Sequence, residues 1–331
     1  MFASSFGGDS ALRNYFDLFV ESCGNNPTID FLFFTDSSFA SKYSNFRVIH
    51  TSLEKIKADI VEFYKGEVDV SLTCGIKTTD FFPAFGEIYR DLFSGYDFWG
   101  YLDNDIILGD LRSFLTEDIL QKYDKISPTS HFSLLRNTPR LNSLYRTKIG
   151  NKEPWKEAFR AKGTMAFAER PITDFGMNRI CSEKHVEIYD SPVFYDVSCL
   201  HYRLQNSFYL FPKKEKENKR HCVFAYQHGE LFKVLLNKKK GQFAYFGLAY
   251  IHLQKRPMKY NGETLETPLL IKQGSFENID VITNDIVWRG NKNRLFSSKY
   301  TRKHFLRNVI KFVLMAVPGL FEKISWHIAK K

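Results

Sequence analysis

The chain has little of what marks a secreted, membrane-spanning or repetitive protein. Its five cysteines (Cys23, Cys74, Cys181, Cys199 and Cys222) are odd in number, scattered, and form no C-x-x-C pair. That spacing argues against a disulfide framework, a zinc knuckle and a redox motif, and fits buried thiols in a reducing compartment. No run approaches the ~18 consecutive apolar residues of a spanning helix, and residues 1–10 lack the basic patch and apolar stretch of a signal peptide. A cytoplasmic protein is therefore expected. No internal repeat or low-complexity tract is present. What is there is a globular composition, 44% hydrophobic and 25% charged, with 32 phenylalanines to build a core. At 331 residues this means one large domain or two modest ones.

Acidic residues are scarce at one end only. The net charge is +10, but residues 299–331 carry eight basic side chains against Glu322 alone, so +7 of it lies in that tail. The body is nearly neutral, and its aromatic residues do not interleave with a basic patch, which excludes nucleic acid as the expected partner.

Hydrophobic patterning predicts strands alternating with helices in the first half. Residues 29–34 form a short apolar run closed by Thr35-Asp36-Ser37-Ser38, and Val48-Ile49-His50 reads as a second strand. Ser52 is placed to cap a helix in which Ile56, Ile60, Val61 and Tyr64 recur at helical spacing up to Gly66. A helix is expected over 84–93, and residues 97–102 then make an apolar strand running straight into Asp103-Asn104-Asp105. Helices are also predicted over 118–123 and from Glu153. Antiparallel strands are predicted over 222–226, 231–236 and 242–246, while 213–220 reads as a solvated loop. The alternation implies an α/β sheet with helices on both faces and a smaller antiparallel C-terminal part.

Two aspartates flanking one residue at a strand end can present carboxylates to a hard divalent cation. Spacing alone is weak, because 19 aspartates in 331 residues make about one D-x-D expected by chance. Position is stronger, since ligands of open α/β sheets bind beyond the carboxyl ends of the strands. Residues 97–110, DFWGYLDNDIILGD, together with Asn26-Pro27-Thr28-Ile29-Asp30, Asp80-Phe81-Phe82-Pro83 and Tyr250-Ile251-His252-Leu253-Gln254-Lys255-Arg256, resemble in order the motifs of GT-A-type glycosyltransferases. The likeness spans about residues 5–256 and is closest to a group of bacterial glycosyltransferase-like proteins.

That resemblance implies a Rossmann-like GT-A mixed sheet and a nucleotide-diphosphate sugar as donor. It further implies Mn²⁺ or Mg²⁺ at the acidic motif and transfer of the sugar to a hydroxyl of a glycan or lipid-linked acceptor. It assigns Asp105 and Asp103 to the metal, Asp103 also to the donor, and His252 as a third metal ligand, with His201-Tyr202-Arg203 a competing site. Lys255 and Arg256 would face the diphosphate, and Asp80 and Lys77 would touch the donor. Asp174, or alternatively Glu169, would be the base for the acceptor hydroxyl. Three departures accompany it: Thr173 stands where an acidic pair is usual, Phe82 where a basic residue is usual, and the start near Phe6-Gly7-Gly8 leaves the first strand expected to be missing. The last two favour a degenerate, non-catalytic nucleotide-sugar or glycan binder as the alternative.

The expected organisation is a catalytic domain over 1–256, an extension over 257–298 packed on it, and a basic amphipathic tail over 299–331. In the tail Phe305, Leu306, Val309, Ile310 and Val313 share one helical face. Such a helix suits an anionic membrane surface, placing the enzyme peripherally on the inner face of the cell membrane.

Overall fold

The computed structural model describes residues 1–190, 194–197, 204–206, 222–237, 241–254, 257–272 and 274–289. The 213–220 run, the His201 triplet, Lys255, Arg256 and the basic tail lie outside the described residues.

Along the chain the first strands are β1 (Phe2–Ser5), β2 (Phe31–Thr35), β3 (Phe46–His50), β4 (Phe98–Leu102) and β5 (Ile106–Leu108). They are followed by β6 (Lys125–Ile126), β7 (Phe132–Arg136), β8 (Ile188–Tyr189), β9 (Phe194–Val197) and β10 (Leu204–Asn206). The C-terminal strands are β11 (Cys222–Gln227), β12 (Glu230–Asn237), β13 (Gln242–Leu248), β14 (Tyr250–His252), β15 (Leu269–Lys272) and β16 (Ser275–Asn278). The helices are α1 (Phe16–Gly24), α2 (Leu53–Tyr64), α3 (Phe85–Ile88), α4 (Glu117–Lys122), α5 (Pro139–Asn142), α6 (Pro154–Arg160), α7 (Met177–Glu183) and α8 (Asn284–Arg289).

Three sheets result. The main one has the order β3-β2-β1-β4-β7-β6-β8, the second β10-β9-β14-β5, and the third is the antiparallel β13-β12-β11-β15-β16. In the main sheet β3, β2, β1 and β4 run parallel while β7 is antiparallel to β4. Alternation along β2 sends its side chains to opposite faces. Phe31 and Phe33 pack against Phe16, Phe19 and Val20 of α1, whereas Leu32 and Phe34 join Ile56, Ile60 and Tyr64 of α2 on the other side. Each such buried side chain contributes about 1.5–3 kcal/mol, and together they fix which face each helix covers. The α/β sheet with helices on both faces is thus as the pattern predicted.

Local signals explain several boundaries. The Ser52 hydroxyl accepts the Lys55 amide at 3.1 Å, and α2 ends where Lys65 and Gly66 turn to positive φ. The helix expected over 84–93 is instead the single turn α3 between 3₁₀ turns. There the backbone presses on Trp99, and a Cβ on Gly86 would lie 2.5 Å from its ring. The expectation of a missing first strand is overturned. β1 is central, hydrogen-bonded between β2 and β4, with Phe2 and Ala3 buried. Four residues ending in two serines are too short and too polar to announce a core strand.

Candidate metal and ligand site

The chain order reverses between β1 and β4, since β1 leads outward through β2 to β3 while β4 begins the other half of the sheet. These two strands pair only at Phe2 and Tyr101. Beyond that pair they part, leaving a crevice of the kind in which open α/β sheets bind ligands. A cleft of about 270 Å³ occupies the gap, lined by Ser4, Ser5, Arg13, Thr78, Asp103 and Asn104 among others.

Asp103 and Asp105 follow β4 directly. The Asp103 amide donates to the His131 carbonyl at 3.0 Å, and the Asn104 amide group reaches the Ser4 carbonyl at 3.3 Å, so the motif is pinned at both sides of the crevice. β5 then leaves the main sheet and pairs antiparallel with β14, His252 opposite Ile106, while the Leu253 amide donates to the Asp105 carbonyl at 2.8 Å. This pairing brings the late histidine beside the acidic pair. On the other side of β14, parallel β9 sets Asp196 opposite His252.

The geometry is that of an oriented ligand. His252 Nδ1 is 2.8 Å from Asp196 Oδ1, which directs Nε2 toward Asp105 Oδ1 at 3.6 Å and Asp103 Oδ2 at 3.8 Å. Donor atoms of Asp103, Asp105 and His252 all lie within 4.8 Å of one another. Two carboxylates and one imidazole suit Mn²⁺ or Mg²⁺, and a histidine held through its other nitrogen by a carboxylate is the usual support of a metal-binding ring. Burial works against a charge on His252, but Asp105, Asp196 and Asp103 outweigh it and raise its pKa to about 9. The cluster therefore attracts positive charge strongly enough to hold a proton where a cation fits. The His131 ring stacks on His252 at 4.2 Å between centroids, and burial together with the His252 charge pushes its own pKa well down. His131 packs there as a neutral ring.

Of the other expected residues, Lys77 and Asp80 are placed elsewhere. Both are fully buried and paired at 2.6 Å. The Lys77 ammonium also donates to the Ala158 and Gly163 carbonyls, and Asp80 accepts from the Met165 and Phe167 amides. Their polar atoms are committed to bracing segment 158–167, which corrects the donor contact expected of them. Phe82 is core, packed on Phe2 and Tyr101. Glu169 accepts from the Ser130 hydroxyl at 2.6 Å, one residue from His131, and Asp174 is tied to Arg170 at 2.6 Å. Asp196, His131 and Arg13 escaped the sequence reading. The one signal for Asp196 was a carboxylate inside the apolar stretch Phe194-Tyr195-Asp196-Val197.

Fold and site together define a mixed α/β protein with an acidic pair at its central crevice. Residues 4–280 match the family DUF6625, described as a family of unknown function, and the chain belongs to that family. No curated protein matches it. Among solved structures it is similar to an active-site mutant of LgtC, at 13% identity and TM-score 0.36, covering 78% of this chain and 89% of that one. It is likewise similar to the galactosyltransferase LgtC in complex with donor and acceptor sugar analogues, at 13% identity and TM-score 0.35, covering 78% and 88%. Likeness at that level carries no function to this chain.

Proposed function

We propose that the protein is a metal-dependent glycosyltransferase that moves a sugar from a nucleotide-diphosphate sugar to a hydroxyl of a glycan or lipid-linked acceptor. The observation that carries this reading is the convergence of Asp103, Asp105 and an Asp196-oriented His252 beside the crevice at the C-terminal ends of β1 and β4. Asp103, Asp105 and His252 would hold Mn²⁺ or Mg²⁺, which when bound supplies positive charge against a departing diphosphate. Asp196 keeps His252 Nε2 turned toward the carboxylates, and Asn104 holds the motif to β1. Lys255 and Arg256, three and four positions after His252 in the sequence, lie outside the described residues and are proposed to face the diphosphate. Glu169, held by Ser130, and Asp174, ion-paired to Arg170, are the two proposed bases for the acceptor hydroxyl.

The degenerate-binder reading loses one support, since β1 is present and central. No described helix is long and apolar enough to cross a membrane. Peripheral attachment through residues 299–331 is part of the proposal, and removing them should release the chain from anionic liposomes without lowering its melting temperature. The function itself is tested by thermal shift with a panel of nucleotide sugars, with and without Mn²⁺, followed by product analysis of the stabilising donor. A ligand that binds the folded state must raise its melting temperature. Stabilisation that requires both metal and donor, with loss in Asp105→Asn, is expected; donor-independent glycan binding with no turnover would overturn it.

A further inference from the structure

We infer that Arg13 is the cationic contact of the crevice for the diphosphate of the bound nucleotide, an inference that rests on the transferase reading above. Arg13 is half-buried, lines the cleft with Asp103, and makes no side-chain hydrogen bond or ion pair to any described residue. It is the one cationic side chain among the described residues lining that cleft. A guanidinium at a concave wall with no ion pair to a described residue is matched by a ligand oxyanion, and its planar fork suits phosphate.

The rest of the wall says where the anion must be met. In many phosphate sites the backbone amides of a glycine-rich loop form the cradle. Here that cradle is filled from within. The Gly7 and Gly8 amides donate to Asp36 at 2.8–2.9 Å, and Asp9 in return accepts from the Ser38 amide and hydroxyl at 2.7 and 2.8 Å. This reciprocal clamp fixes the segment between β1 and α1 on which Arg13 stands, and commits the Gly7 and Gly8 amides within the protein. The Thr78 and Thr79 hydroxyl protons are used on the Gly75 and Ile76 carbonyls. Ser4 and Ser5 have no such bond among the described residues and remain as neutral donors beside Arg13. The charged contact for an anion on this wall therefore falls to the Arg13 side chain, with Ser4 and Ser5 as neutral donors.

The test compares the full chain with Arg13→Ala and Arg13→Lys by calorimetry. The titrants are Mn²⁺ alone, then UDP, GDP, CDP, dTDP and pyrophosphate at saturating Mn²⁺, with the neutral nucleosides as comparators. Arg13→Ala is expected to weaken the diphosphates that bind by about 10–100-fold, the usual range for a lost charge-assisted hydrogen bond. It should leave Mn²⁺ affinity, melting temperature and nucleoside binding unchanged, and Arg13→Lys should recover part of the loss. Diphosphate affinity equal to wild type in Arg13→Ala overturns the role of Arg13 while the transferase reading stands. Failure of the wild-type chain to bind any diphosphate with Mn²⁺ overturns both.

Discussion

Replacing Asp196 with asparagine tests the site at its least obvious point. The carboxylate lies 2.8 Å from His252 Nδ1, the nitrogen turned away from Asp103 and Asp105, so its effect on the cluster runs through the ring. Two effects compete when its charge is removed. The ring loses the partner that fixes its orientation and raises its basicity, which in metal sites costs about 10–100-fold in affinity, or roughly 1.4–2.7 kcal/mol. At the same time the proton on His252 becomes easier to displace, because Asp196 is one of the groups that raise its pKa to about 9. At pH 7 a group of that pKa is protonated by about 100 to 1, so proton competition is strong at low pH and weak near pH 8.5. The net loss of Mn²⁺ affinity should therefore be larger at pH 8.5 than at pH 6.5. Calorimetry in two buffers of different ionisation enthalpy reads both affinity and protons released, and wild type should release close to one proton per Mn²⁺ at pH 7. Unchanged Mn²⁺ affinity at pH 8.5, in a variant with wild-type melting temperature, would refute the orienting role of Asp196.

Three further outcomes are expected. Lys77→Met leaves Asp80 buried without its cation and should cost about 3–5 kcal/mol in denaturant unfolding, because breaking a buried pair strands the remaining charge; a variant of wild-type stability with weakened donor binding would restore the donor role. Gly100→Ala puts a Cβ 2.1 Å from the Ser133 carbonyl across the β4–β7 pair and should destabilise the fold and weaken Mn²⁺ binding together, as β4 carries the acidic pair. In metal-free protein the His252 proton stabilises the fold, since its folded pKa is raised from 6.5 to about 9. That contribution, about 3 kcal/mol, is complete below pH 6.5 and lost as pH rises through 9. The metal-free melting temperature should fall over that window, and the fall should vanish in His252→Gln.

What the sequence made legible was what neighbouring residues decide. The apolar run before Asp103, the Ser52 cap and the alternation through 222–246 each state a local preference strong enough to survive tertiary packing. The site was legible in part for the same reason, because Asp103 and Asp105 sit where a core strand must end. His252 could be tied to them only by resemblance, since its approach depends on β14 pairing with β5, a contact between distant parts of the chain with no local signature. Asp196 needed one step more, the parallel pairing of β9 with β14. β1 is illegible in the sequence because its four residues carry too little periodicity, although its pairing on both sides makes it central. Lys77 and Asp80 show the converse error, charges that look ligand-seeking in sequence and prove to satisfy each other in the core.

The most direct test of the central claim is anomalous diffraction from crystals soaked in Mn²⁺, measured on both sides of the manganese absorption edge. A single strong peak among Asp103, Asp105 and His252 Nε2, at about 2.0–2.5 Å from its ligand atoms, is the predicted result. Saturating Mn²⁺ that leaves this cluster empty, or that binds only at other carboxylates, would contradict it.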